Sequence, residues 1–185
     1  MTAETATLAV AGPKAAEVLA GAGAPVPADA YSHTAWGERL VARTTGFLVF
    51  APQAEREEAV RQLESAGAVA ASAADALVVR LEDGRPRYGD DITEDDLPQE
   101  TQMLHALHFN KGCYIGQEIV ERIRARGHVN RLLVRLIIEG DQPPARGTKL
   151  PGGEITSAAY SPALGKVIAF GYVLAEQGGA GTKLL

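Results

Sequence analysis

A single cysteine among 185 residues excludes an internal disulfide and leaves an iron–sulfur cluster or structural zinc without its usual thiolates. Aromatic side chains are scarce too, at 5%, so few flat rings are on offer for unpaired bases to stack upon. No apolar run is long enough to span a bilayer, and Met1-Thr2-Ala3-Glu4-Thr5 has no basic start leading into an apolar stretch. The expectation is a soluble, cytoplasmic protein with no membrane contact. Basic residues are in the minority, 18 against 23 acidic for a net charge of −5, which argues against whole-surface attraction to nucleic acid or anionic lipid. What remains is an ordinary globular composition, 46% hydrophobic and 22% charged, in a chain long enough for one domain or two small ones.

The early part of the chain alternates strand and helix. Residues 7–11 read as a strand, and Gly12-Pro13 opens a helix reaching Ala20. Residues 39–44 and 47–51 read as two strands joined at Thr45-Gly46. Pro52 starts a further helix with Ala59, Val60 and Leu63 on one face and Gly67 at its end. Such an order suits an α+β, ferredoxin-like open sheet with helices on one face. In residues 72–84, Ala74, Leu77, Val78 and Leu81 keep helical spacing, Ser72 and Asp75 form an N-terminal capping pair, and Gly84 closes the helix. Glu82 and Asp83 then face the negative end of the helix dipole, at a cost of a few tenths to about 1 kcal/mol unless donors compensate. Residues 85–98 are too polar and too broken by Pro and Gly for a regular element. After Arg131 the text turns to strands, at 132–138, 148–150, 154–158, 167–174 and 183–185, which suggests a small antiparallel β-barrel or sandwich. The expected division is an α+β half-domain over residues 1–108, followed over 109–185 by a loop, a helix and the barrel.

Chemistry concentrates in Lys111-Gly112-Cys113-Tyr114-Ile115-Gly116-Gln117-Glu118. The cysteine lies in a glycine-flanked turn beside a lysine and just before a helix over residues 117–125, which Gly127 ends. A nearby ammonium and a helix N-terminus both favour thiolate over thiol. Cys113 and Lys111 are therefore the candidate catalytic pair. Backbone N–H groups near Gly116 could steady an anion, and Glu118 could pair with Arg122 one turn on. Arg122, Arg124, Arg126, His128 and Arg131 crowd into one decade, a patch suited to a polyglutamate tail or an RNA phosphate. His105 and His108 stand one helical turn apart but lack carboxylates at ligand spacing, so no metal site is expected.

The octapeptide closely resembles the signature of the YgfZ-type folate-binding proteins, relatives of the glycine-cleavage T-protein. Arg80-Leu81-Glu82-Asp83-Gly84, Tyr88-Gly89-Asp90-Asp91, Pro98-Gln99-Glu100, Gly152-Gly153-Glu154-Ile155-Thr156-Ser157 and Ser161-Pro162 extend the likeness over nearly the whole chain. The resemblance implies a T-protein-like (GcvT-like) α+β body ending in a barrel, with tetrahydrofolate or a folate derivative as cofactor. It implies that Glu82 helps hold the pterin, since a carboxylate can accept paired hydrogen bonds from a ring N–H and an exocyclic amine. Tyr88 can stack on that ring or cover the core edge, and Tyr114, Gly116, Gln117, Glu118, Arg122 and Arg131 are carried as further folate-binding candidates. Members of the family usually have about a hundred residues more before this point, including an aspartate that assists aminomethyl transfer. Either a partner chain or a second copy completes the cavity, or the chain is a fragment or an alternative start of a longer protein. The function implied is an accessory role in assembly or repair of iron–sulfur client proteins. The alternatives are a tetrahydrofolate-dependent aminomethyl- or methyltransferase and a tRNA-modification factor.

Overall fold

The computed structural model describes residues 4–184 and forms two compact units, Met1–Ala71 and Ser72–Leu185. In the first, strand β1 (Thr5–Val10), helix α1 (Ala15–Gly21), strands β2 (His33–Trp36), β3 (Arg39–Arg43) and β4 (Phe47–Pro52) and helix α2 (Arg56–Ser65) follow in order. The strands make one antiparallel sheet in the order β1-β4-β3-β2. Alternation along β4 buries Phe47, Val49 and Ala51 on one face, and Phe47 and Val49 there join a core with Val10, Val41, Leu19 of α1 and Leu63 of α2. Arg39 is buried yet satisfied. Its Nε donates to Glu55 at 2.7 Å and its Nη1 to Gln62 at 2.7 Å, while the guanidinium covers the Trp36 ring at 4.6 Å, tying β3 to α2.

Two details of this unit depart from expectation. Strand β2 has no alternating pattern to announce it, because His33, Thr34 and Ala35 are all exposed. Its pairing with β3 defines it. The helix expected to begin at Pro52 opens instead with a 3₁₀ turn, Gln53–Glu55, before α2 proper.

The second unit begins with helix α3 (Ala73–Glu82). Both arms of its capping box are made: Asp75 N donates to Ser72 Oγ at 3.2 Å and Ser72 N donates to Asp75 Oδ2 at 2.8 Å. Hydrogen bonds from Ser72 hold the Asp75 carboxyl below its ordinary pKa. Helix α4 (Gln117–Arg126) ends where Gly127 turns left-handed at φ +82° and its N–H reaches Ile123 O. Strands β5 (Arg131–Ile138), β6 (Lys149–Leu150), β7 (Gly153–Ser161) and β8 (Lys166–Leu174) form an antiparallel sheet in the order β5-β8-β7-β6. Its terminal strands β5 and β6 are not neighbours, and a bulge at Ile155/Ser157 bends β7. The result is a curled half-barrel rather than a closed barrel. Lys183 and Leu184 lie outside any strand, and Leu185, the end of the expected last strand, falls outside the described residues. Leu81 of α3 packs on Leu133, Ala159, Ile168, Phe170 and Tyr172, so α3 covers the half-barrel and its C-terminal turn is placed by β7.

Candidate functional site

Glu82 is the last residue of α3, as its spacing required, and it is half-buried. Its Oε1 accepts a hydrogen bond from Ser161 Oγ at 2.5 Å, and Ser161 Oγ in turn accepts from Leu164 N at 3.0 Å. Ser161 is fully buried at the end of β7. A carboxylate at the negative end of a helix needs a donor. Here the last residue of β7 supplies it.

A buried hub holds the same helix a few residues away. Asp91 is 1% exposed. One of its oxygens accepts from Thr156 Oγ1 at 2.7 Å and Ser157 Oγ at 2.5 Å, and the other accepts from Arg87 N at 2.9 Å and pairs with the Arg80 guanidinium. Arg80 belongs to α3, while Thr156 and Ser157 belong to β7. The Glu82–Ser161 and Asp91 contacts therefore attach α3 to β7 at two points, fixing both the position and the rotation of the helix.

Arg131 is committed elsewhere. Its Nη2 lies 2.9 Å from Asp96 Oδ1, its Nε lies 3.2 Å from Glu100 Oε1, and its guanidinium sits 4.5 Å above the Tyr172 ring. Burial alone would weaken the Arg131 charge, but Glu100 and Asp96 outweigh it and push its pKa above an already high ordinary value. The Tyr172 phenol is driven well above its usual range, by burial first and the Asp96 charge second. Its Oη is buried and makes no hydrogen bond of good geometry among the described residues. An unfolded Tyr172 ionises near pH 10 whereas the folded one holds its proton longer, so its contribution is whole below pH 10 and lost as pH rises beyond it. Tyr172→Phe is expected to stay within about 1 kcal/mol of wild type at pH 7. Between pH 10 and 11.5 it should lose stability less steeply, by up to about 1.4 kcal/mol per pH unit, in urea titrations.

The signature segment is open to solvent. Cys113 is exposed, and Gly112 and Gly116 adopt φ +86° and +88°, with Gly116 serving as the N-cap of α4. Such torsions suit glycine and bring the chain round tightly before the helix. The Lys111 ammonium sits 5.0 Å from the Tyr114 ring centre. Gln117 and Glu118 form the first turn of α4, with Glu118 exposed. The pairing of Glu118 with Arg122 is not formed among the described residues; the ion pair on α4 is Glu121 with Arg124 at 3.6 Å.

Residues of the basic decade have different partners. Arg124 covers Phe109 at 4.3 Å, Arg131 is held by two carboxylates, and the Arg126 side chain falls outside the described part. Arg122 and His128 help line a cavity of about 280 Å³ with Leu97, Glu100, Ile123 and Asn130. A cavity of about 290 Å³ in the first unit, beside Tyr31, Leu40 and Ala42, touches no candidate residue. Tyr88 is 70% exposed, which removes the core-edge reading and leaves its ring free. His105 and His108 are exposed, and no cluster of three potential metal ligands occurs among the described residues. Among those residues, no helix is long and apolar enough to cross a membrane. Sequence reasoning missed Ser161 and Asp91 as parts of the site. The signals for them were their places in the Tyr88-Gly89-Asp90-Asp91 and Ser161-Pro162 motifs and a set of hydroxyl residues, Thr156, Ser157 and Ser161, within a strand segment that also had to face a core.

Residues 131–185 match the glycine cleavage T-protein C-terminal barrel domain. The chain is 35% identical to the aminomethyltransferase of Rubrobacter xylanophilus, over 96% of this chain and 52% of that protein. It is 34% identical to that of Streptomyces avermitilis, over 77% of this chain and 43% of that protein. The crystal structure of the glycine cleavage system aminomethyltransferase T from Bartonella henselae superposes with a TM-score of 0.86 at 26% identity, covering 96% of this chain and 54% of that one. The chain thus spans about half the length of the relatives it matches. These matches support the GcvT-like superfamily and fold. They favour the aminomethyltransferase reading over the YgfZ-type accessory role expected first, and they lend nothing to iron–sulfur or tRNA functions.

Proposed function

We propose that this chain carries part of a tetrahydrofolate-dependent aminomethyltransferase-type site, with Glu82 as the anchor for the pterin. The supporting observation is the Glu82 carboxylate itself, held by Ser161 on one oxygen and without a hydrogen-bond partner on the other among the described residues. A pterin presents a ring N–H beside an exocyclic amine, and a carboxylate in this condition fits that edge. Tetrahydrofolate, when bound, supplies the nitrogens that accept a one-carbon unit. The contribution of this chain is to bind and orient the ring, with Tyr88 available to stack on it and Arg122 available to a carboxylate tail.

A second reading retains Cys113 as a reactive thiol in a YgfZ-type accessory role, supported by its exposure in a glycine-bounded turn beside Lys111. One experiment separates the two. Calorimetric titration with tetrahydrofolate is expected to show Glu82→Gln weakened about 10- to 100-fold, the loss of a charge-assisted hydrogen bond, with Cys113→Ala unchanged. Amine-dependent formation of methylene-tetrahydrofolate should likewise survive Cys113→Ala. A thiol whose loss abolishes that turnover would reverse the assignment, and unaltered binding by Glu82→Gln would remove the anchor.

A further inference from the structure

The two oxygens of Glu82 stand in unequal circumstances. Oε1 receives the Ser161 hydroxyl at 2.5 Å, while Oε2 has no hydrogen-bond partner among the described residues. The direction of this bond is set by its neighbours. Leu164 N–H can only donate, and it occupies Ser161 Oγ at 3.0 Å. An ionised carboxylate can only accept, so the one Ser161 proton must point at Glu82. Ser161 is 0% exposed, which denies that hydroxyl a competing water. Its own backbone is fixed as well, since Ser161 O accepts from Gly165 N at 2.9 Å across the turn into β8.

Left without this donor, a glutamate in the last helical turn would be repelled by the carbonyl end of its own helix and free to rotate into water. The attachment of α3 to β7 through Asp91 holds the backbone of Glu82 but not its side chain. Among the described residues, only Ser161 holds the carboxylate. We propose that Ser161 is a specificity-determining positioning residue. It pins one oxygen of Glu82 so that the other meets the exocyclic amine of a 2-amino-pterin, making the site selective for that amine. This inference rests on the folate reading above.

A pinned carboxylate loses a hydrogen bond outright when its ligand lacks the matching donor, whereas a mobile one turns to whatever donors remain, water included. The test is therefore a ratio, which a general loss of stability would not move. Affinities for tetrahydrofolate and its 2-desamino counterpart are measured calorimetrically with wild type, Ser161→Ala and Ser161→Thr, beside thermal melts of each. Wild type is expected to prefer the amino-bearing ligand at least tenfold, and Ser161→Ala to narrow that preference to within about threefold. Ser161→Thr, which keeps the hydroxyl, should retain the wild-type preference. A Ser161→Ala protein that keeps the wild-type ratio would overturn the proposal while leaving the folate reading intact. If wild type binds neither ligand, the folate reading itself fails and takes the proposal with it.

Discussion

Asp91→Ala is expected to lower the free energy of unfolding by about 3–5 kcal/mol, the cost of stripping one partner from a buried ion pair. The carboxylate is 1% exposed and is the shared acceptor for four donors. Its removal leaves the largely buried Arg80 guanidinium with only the more distant Asp90 carboxylate and the Arg85 carbonyl as partners. Arg80 Nη2 already lacks a hydrogen bond among the described residues, facing Asp90 Oδ2 at 3.9 Å. The Thr156 and Ser157 hydroxyls and the Arg87 N–H lose their acceptor as well, each adding a desolvation cost. Asp91→Asn keeps the shape and one acceptor oxygen, so it should fall between wild type and alanine. Urea unfolding followed by far-ultraviolet circular dichroism measures all three, and a loss below about 1 kcal/mol for Asp91→Ala would mean the hub is hydrated and not a structural link. Because the hub seats α3 on β7, the alanine variant should also weaken folate binding at Glu82, although Asp91 is given no contact with the ligand.

Asp91 also shows where sequence reading stops. It is one of two adjacent aspartates in a segment rich in charge, proline and glycine, and local composition assigns such residues to solvent. Its partners lie 65 and 66 positions away on β7, and no local pattern encodes them. Glu82 was half legible. Helical spacing placed it at the end of α3 and the dipole argument required a compensating donor, but the donor is 79 residues distant. Features set within a single turn were readable in full: the Ser72–Asp75 capping box, the Gly127 stop and the β3–β4 hairpin at Thr45-Gly46. Strand β2 was not, because an exposed edge strand acquires its identity from its neighbour's hydrogen bonds and not from its own side chains. The partners of the arginine-rich decade were illegible for the same reason. Proximity in sequence predicted a shared patch, whereas α4 and β5 give Arg124 and Arg131 separate partners, a phenyl ring and two carboxylates.

The second large effect is expected at Gly153, where the half-barrel curls. A Cβ built there would lie 1.7 Å from Tyr172 O and 3.1 Å from Val173 Cα, far inside van der Waals contact with the backbone of the neighbouring strand. No rotamer relieves that overlap, because every atom involved is main chain or Cβ. Strand β7 would have to separate from β8 at its first residues, breaking the pairing of Glu154 with Tyr172. Gly153→Ala should therefore cost about 3 kcal/mol or more, at or beyond the upper end of ordinary overpacking. Gly147→Ala is the matched control, since its Cβ would meet nothing within 4 Å and only its φ of +81° resists substitution, a cost of about 1 kcal/mol. If the two variants melt alike, backbone torsion and not close approach sets the tolerance of this sheet. A much lower midpoint for Gly153→Ala would tie the curl of the half-barrel to one missing side chain. Strand β7 holds α3 at two points, at Thr156 through Asp91 and at Ser161 through Glu82, so its displacement should loosen Glu82 without altering any residue that touches it.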